Sequence, residues 1–364
     1  MRALSCLLAV SLLAGAIPPL SGDDSRSPSR VQDLYSLDQR MRGVCWVAGR
    51  RVDESVFLSL VRANVEWISQ TPFGWMQRPG STDIRIASQG DVFWGETDAG
   101  LAETTKLARA FGIRTLLKPH LWVAGWHDTV WTGEIRMPSA SAWKAWFESY
   151  RRFILHYAVL AEEHHMEALA VGTELQGATL GHEEEWREII RQIRKVYHGK
   201  LTYAANWDHE FETIGFWDAL DFAGVQAYFP LSQKSDPSLE ALLAGWSGPI
   251  KMLDGVAGRI GRPIVFTEVG YKSADRASVE PWRWETTDRA NPEQQARCYE
   301  AMFRAVWGKP WLEGVYVWKW FPRFDTARSD GDNNFTPQGK PAEQVLSRWY
   351  AARDVTLSSV PAQP

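Results

Sequence analysis

Short apolar runs alternate along this chain with longer segments in which apolar residues recur at helical spacing. Eight runs of strand length stand out, and each is followed by a segment that fits a helix. The predicted strands are residues 43–48, 65–69, 113–118, 168–176, 201–206, 222–228, 263–270 and 314–318. The predicted helices are residues 53–63, 98–111, 141–163, 183–197, 216–220, 239–258, 292–306 and 341–353.

This alternation predicts the α/β fold class and a single (β/α)8 TIM barrel. A doubly wound open sheet is the alternative, but it normally carries a glycine-rich turn after its first strand. Residues 48–51, Ala-Gly-Arg-Arg, lack that fingerprint. Because no linker interrupts residues 31–355, we predict one catalytic domain over residues 23–355. Two long segments, residues 70–97 and 122–137, are expected to shape its cleft as loops.

Two of the predicted strands end in a carboxylate. Glu174 and Glu268 each follow a threonine at the end of an apolar run. In such a barrel the carboxyl ends of the strands face the active site. One glutamate there could be a structural ion pair, whereas two on the fourth and seventh strands suit glycoside hydrolysis, which needs a pair of carboxyl groups.

Polar and aromatic residues end the other strands and predict a substrate-binding rim. The predicted rim residues are Trp46, His120, Trp122, Asn206, Trp207, Gln226, Tyr228, Trp318 and Lys319. His120 could equally be a hydrogen-bonded structural histidine. Trp126, Trp131, Trp282 and Trp284 could line a sugar cleft or merely pack their loops. The rim has no serine elbow and no phosphate-binding loop.

Composition adds a little to this picture. The 364 residues include 20 Trp, 10 Tyr and 15 Phe. Large aromatics fill cores, and they also stack on sugar faces, so the count favours a carbohydrate ligand only weakly. The formal net charge of −4, with no basic stripe, argues against a nucleic-acid partner.

The N-terminus predicts export. Residues 1–22 have the pattern of a secretory signal peptide, with Arg2 before a short apolar core. Cys6 precedes that core, which disfavours a lipoprotein anchor. We predict a secreted or periplasmic protein with no transmembrane segment, a flexible lead-in at residues 23–34 and a disordered tail at residues 356–364. Cys45 and Cys298 could form a disulfide, but two buried free thiols are favoured.

Several segments together resemble glycoside hydrolase family 113, whose characterised members include endo-β-1,4-mannanases. The matching segments are GVCWV at 43–47, LKPHLW at 117–122, VGTEL at 171–175, QAY at 226–228, FTEVGY at 266–271 and VWKW at 317–320. The resemblance implies that Glu174 is the acid/base and Glu268 the nucleophile. It further implies that Tyr228 hydrogen-bonds the nucleophile and that Trp318 is a platform under the sugar.

The sequence departs from the wider clan in one place. Thr173 stands where that clan usually has an asparagine that contacts the sugar 2-hydroxyl, and Asn206 is the candidate to replace it. Mannan and glucan therefore both remain candidates. We expect a retaining glycoside hydrolase, best matched to an endo-β-1,4-mannanase acting on mannan or glucomannan. It should need no cofactor or metal and should act as a monomer.

Two alternatives belong to other classes. One is a catalytically silent barrel that binds carbohydrate through its aromatics, and the other is a metal-dependent barrel hydrolase. A glycosidase of different sugar specificity is a third.

Overall fold

The structure is a computed structural model that describes residues 30–86, 92–125, 129–285, 287–325 and 331–352. The predicted signal peptide, residues 23–29 of the lead-in and the predicted tail lie outside the described residues. Trp126 lies outside them as well.

Twelve strands are assigned in the described ranges. In chain order they are β1 (Met41–Trp46), β2 (Trp67–Gln70), β3 (Phe73–Met76), β4 (Arg85–Ile86), β5 (Arg114–Leu117), β6 (His120–Ala124), β7 (Thr129–Val130), β8 (Ala168–Thr173), β9 (Lys200–Asn206), β10 (Ala223–Gln226), β11 (Ile264–Val269) and β12 (Leu312–Trp320).

Eight of these strands close into a barrel in the order β1-β12-β11-β10-β9-β8-β5-β2. All neighbouring pairs in it are parallel. The eight barrel strands are the eight that the hydrophobic pattern predicts, and their ends agree within a few residues. The prediction of a single TIM barrel is confirmed.

Helices connect the barrel strands. They are α1 (Tyr35–Asp38), α2 (Phe57–Arg62), α3 (Asp98–Ala110), α4 (Ala140–Glu163), α5 (Gln176–Thr179), α6 (Glu183–Ile193), α7 (Glu210–Thr213), α8 (Leu239–Gly245), α9 (Ser247–Ile260), α10 (Pro292–Val306) and α11 (Pro341–Tyr350). Polar caps fix several starts: the side chains of Thr97, Ser139 and Asn291 accept a backbone N–H at α3, α4 and α10.

Two helix predictions differ from the structure. The segment 239–258 forms two helices, α8 and α9, which meet at Trp246. Pro249 lies in the first turn of α9, where its missing backbone N–H is tolerated, so a new helix begins here although the apolar pattern continues. The segment 216–220 forms only a 3-10 turn, Trp217–Ala219.

The apolar core has two parts. A small cluster fills the barrel interior and includes Met41, Trp67, Phe222 and Tyr316. A much larger cluster lies between the strands and the surrounding helices. Gly43 is needed inside the barrel because a Cβ there would meet the Tyr316 ring at 2.4 Å.

The segments predicted as loops contain a second sheet, which the sequence analysis did not predict. Its four strands pair in the order β4-β3-β6-β7. β3 and β6 are parallel and follow barrel strands β2 and β5 almost directly, so the sheet extends one side of the barrel. Its strands are short, and side-chain packing between Phe73, Trp75 and Trp122 contributes to it. The local pattern of apolar residues is too brief to show this.

The end of the predicted lead-in is held in place. Leu34 is buried, and its N–H donates to Glu66 Oε1 at 2.7 Å. Val31 N–H donates to the carbonyl of Phe111 at 3.0 Å. The prediction of a flexible lead-in is therefore wrong for residues 31–34. The buried carboxylate of Glu66 accepts a hydrogen bond from this segment, and Glu66 lies far from the segment in sequence.

Cys45 and Cys298 are both buried and free, as predicted. Within the described residues, no helix combines the length and apolarity needed to cross a membrane.

Candidate active site

Glu268 lies near the carboxyl end of β11 and is 5% exposed. The Lys118 ammonium, fully buried just beyond β5, contacts its Oε1. The Tyr228 hydroxyl donates to its Oε2 at 2.9 Å. Burial and the charge of Glu268 raise the pKa of Tyr228, so the phenol stays a donor. Glu268 is thus a carboxylate held by one cation and one hydroxyl.

His120 stands beside the same carboxylate. Its Nε2 is 3.9 Å from Glu268 Oε1, and its side chain is about one-fifth exposed. Burial and the nearby Lys118 charge hold the pKa of His120 well below its usual value. The imidazole is therefore neutral, and Lys118 supplies the positive charge next to Glu268. His120 thus lies in the site beside Glu268, and its binding of substrate stays a prediction.

Glu174 follows β8 directly and has an unusual backbone. Its φ is +51°, in the left-handed region that costs a non-glycine residue about 1 kcal/mol or more. Its N–H donates to the Ala204 carbonyl at 2.9 Å, and its carbonyl accepts from the Thr132 hydroxyl at 3.0 Å. Backbone strain of this kind is often found in residues of functional sites.

Two donors hold the half-buried carboxyl of Glu174. Asn206 Nδ2 donates to Oε1 at 2.7 Å, and Trp131 Nε1 donates to Oε2 at 3.2 Å. Burial raises the pKa of Glu174 to about 7, and the negative charge of Glu268 contributes. The barrel therefore brings the two strand-end carboxyls within electrostatic reach of each other, as the sequence predicts.

The aromatic rim residues form two groups. Trp318 meets Trp284 edge-on at 5.7 Å, and Lys319 Nζ lies 4.5 Å from the centre of the Trp284 ring. The Trp318–Lys319 peptide bond is cis. Trp207 stacks on Trp282 with ring centres 5.0 Å apart. Trp318 belongs to β12, and Trp207 follows β9. Trp282 and Trp284 share the segment between β11 and α10, and all four rings are partly exposed.

On the side of the second sheet, Trp122 is 39% exposed and packs against Trp75 at 5.5 Å. Trp122 is available to a ligand, as predicted for the rim.

Two predicted substrate-binding residues have other contacts. Trp46 is 5% exposed and stacks on Phe57 in the large core, because it ends β1 facing the helices. Gln226 is 1% exposed and its Oε1 accepts from the Thr267 hydroxyl of β11 at 3.2 Å. Asn206 lies in the site, where Nδ2 donates to Glu174 and Oδ1 accepts from Asp208 N–H at 2.7 Å; its contact with the sugar stays a prediction.

The sequence analysis missed Lys118. Lys118 lies in one of the segments that resemble the family, but a lysine before a proline does not by itself predict a site residue. Its pairing with Glu268 spans the barrel and follows from closure of the sheet.

The site combines a carboxyl paired with a buried ammonium and a second carboxyl whose pKa is raised to about 7. One can attack a carbon while the other donates a proton. Within the described ranges, no three His, Cys, Asp or Glu side chains gather as metal ligands would.

Comparisons with known proteins identify the family. The model of glycoside hydrolase family 113 matches residues 48–340, most of the chain. The chain belongs to glycoside hydrolase family 113. It is thus a retaining glycoside hydrolase, and its substrate is a carbohydrate.

Solved structures agree with this family. The β-mannanase of family 113 from Alicyclobacillus acidocaldarius, in complex with ManMIm, is 30% identical with a TM-score of 0.74. The match covers 86% of this chain and 98% of that one. A complex of a family 113 β-1,4-mannanase is 25% identical with the same TM-score, covering 85% and 98%.

More distant matches show the fold alone. A β-glucuronidase from Ruminococcus gnavus is 15% identical with a TM-score of 0.53, and the match covers 85% of this chain and 49% of that one. No curated protein matched the sequence of this family 113 chain.

Proposed function

We propose that this family 113 enzyme cleaves β-1,4-linked mannan or glucomannan within the chain, by double displacement. Glu268 attacks the anomeric carbon while Glu174 protonates the departing oxygen. Glu174 then removes a proton from the water that releases the sugar. The main support for these roles is the difference between the two carboxyls. Lys118 contacts Glu268, whereas the pKa of Glu174 is raised to about 7.

Other side chains fit supporting roles in this reaction. Tyr228, bonded to Oε2 of Glu268, orients the nucleophile and leaves Oε1 with Lys118. Trp318 is placed to form the hydrophobic platform for the sugar that is cleaved. The choice of mannan is supported by the two β-mannanase structures, which align along nearly their whole length.

We also propose that the enzyme is exported and acts as a monomer. The signal-like pattern of residues 1–22 supports export.

The test is hydrolysis of a panel of mannan, glucomannan, cellulose and xylan, with the products sized. We expect mannan and glucomannan to give short oligosaccharides and the other polymers little. Glu174→Ala should lower activity on mannan by about 10²–10⁴-fold, and Glu268→Ala should abolish it. Glu184→Ala, on the exposed start of α6, is the control and should change nothing. Activity on cellulose without activity on mannan would overturn the substrate assignment.

A further inference from the structure

A third carboxyl lies behind the acid/base and has no part in the reaction described so far. Glu210 begins α7 and is fully buried. Its Oε1 accepts from the Tyr203 hydroxyl at 2.6 Å and from Thr179 Oγ1 at 3.2 Å. Its Oε2 accepts from Asn206 N–H at 2.7 Å. In the part of the chain that the structure describes, no lysine or arginine pairs with this carboxyl.

Two short connections run from Glu210 to Glu174. The first is Asn206, whose backbone N–H binds Glu210 while its side-chain amide binds Glu174. The second is Tyr203, whose hydroxyl donates to Glu210 and accepts from Leu175 N–H at 2.6 Å. Leu175 follows Glu174, the residue with the left-handed backbone. Glu210 therefore supports both the carboxyl and the backbone of the acid/base.

Glu210 and Glu174 also interact through charge. Burial raises the pKa of Glu210 to about 7, and the negative charge of Glu174 contributes. The pKa of Glu174 is likewise about 7. Two interacting carboxyls that titrate in one range oppose each other's ionisation. The other charged groups that act on Glu174 are Glu268, which opposes its ionisation, and Lys118, which favours it.

We propose that Glu210 is a positioning residue for the acid/base, which holds Asn206 and Tyr203 against Glu174 and whose ionisation opposes that of Glu174. This inference rests on the proposed role of Glu174. It adds a function for a buried carboxyl that a simple two-carboxyl mechanism does not use.

The variant Glu210→Gln tests the charge. We expect the basic limb of the kcat/KM profile to move to lower pH by about half a pH unit or more. At neutral pH a shift of half a unit should lower the rate about twofold to threefold on an aryl β-mannoside with a poor leaving group. A dinitrophenyl glycoside, whose leaving group needs no proton, should be cleaved almost as well as by wild type. A merely structural defect would lower both substrates equally and leave the limb in place, which would overturn the proposal.

Two further variants separate the contributions. Tyr203→Phe keeps the charge of Glu210 but removes the bond to Leu175, so we expect a lower kcat with no movement of the basic limb to lower pH. Glu212→Gln, on the same helix, is the matched control and should match wild type.

A measurement without substrate keeps the inference separate from the proposed function. Carboxyl ¹³C NMR titration, assigned with Glu174→Gln and Glu210→Gln, should show two coupled titrations near neutrality in the wild-type protein. In Glu210→Gln the Glu174 titration should occur at lower pH. A Glu174 titration that is identical with and without Glu210, in a folded variant, would overturn the proposal even if no substrate has been found.

Discussion

At the scale of single residues, Lys118 decides the difference between the two carboxyls. It is fully buried, contacts Glu268 and also donates to the Thr267 carbonyl at 3.4 Å. A buried cation is costly unless it is paired. The pair therefore stabilises the ionised form of Glu268, while Glu174, farther from this cation, has a raised pKa.

The variant Lys118→Met should show this directly. Removing one partner of a buried ion pair leaves the other uncompensated, so we expect stability to fall by about 3 kcal/mol. We also expect kcat/KM to fall about tenfold or more, because the nucleophile loses the cation that holds its Oε1. Chemical denaturation and the rate on mannan measure the two effects. Lys251→Met, on the exposed side of α9, is the control, and a Lys118→Met enzyme with wild-type activity and stability would contradict this role.

Only some of the site residues can be predicted from the sequence. Glu174, Glu268 and Tyr228 were predictable because each sits where an apolar run ends. Trp46 and Gln226 end their runs in the same way, yet Trp46 packs in the large core and Gln226 bonds to Thr267. The direction in which a strand-end side chain points depends on the tilt and register of the closed barrel, including the shifts within β1–β12 and β10–β11 pairing. That information is not local in the sequence.

At the scale of elements, the second sheet and the turn after it complete the site. The 3-10 turn Thr132–Glu134 follows β7 and places Thr132 on the Glu174 carbonyl. Trp131, just before the turn, places its indole N–H on the Glu174 carboxyl. The barrel supplies the carboxyl, and this added element supplies one of its two donors.

In the variant Trp131→Phe the basic limb of the kcat/KM profile should move to higher pH. The Trp131 N–H stabilises the ionised form of Glu174 and so lowers its pKa. Without it the carboxyl holds its proton to higher pH, which is the opposite direction from Glu210→Gln. We expect kcat to fall about threefold to tenfold. Trp311→Phe is the matched control, since Trp311 donates to Asp254 at 2.6 Å far from the site. A basic limb that moves to lower pH would refute this assignment.

The elements differ in how far the sequence predicts them. Barrel strands are continuous apolar runs because both faces are buried, so they stand out from polar surroundings. β4 and β7 have two residues each and derive their stability from neighbouring strands. The central pair of this sheet, β3 and β6, is separated in sequence by α3 and β5, so no local window contains both strands. The second sheet was therefore predicted as loops.

At the scale of the whole molecule, closure of the barrel brings together groups that are distant in sequence. β8 and β11 carry Glu174 and Glu268, while β5 leads into Lys118. The central claim is that these carboxyls act from opposite faces of the sugar, Glu268 as nucleophile and Glu174 as acid/base. Their roles predict opposite outcomes when each is removed.

The most direct test is azide rescue of Glu174→Ala and Glu268→Ala on an activated aryl β-mannoside, with the product configuration read by NMR. Without Glu174 the glycosyl-enzyme still forms, and azide replaces water on the same face, so we predict a β-glycosyl azide. Without Glu268, azide enters the space of the nucleophile and gives the α-glycosyl azide. The reverse pair of configurations would contradict the assignment of the two carboxyls.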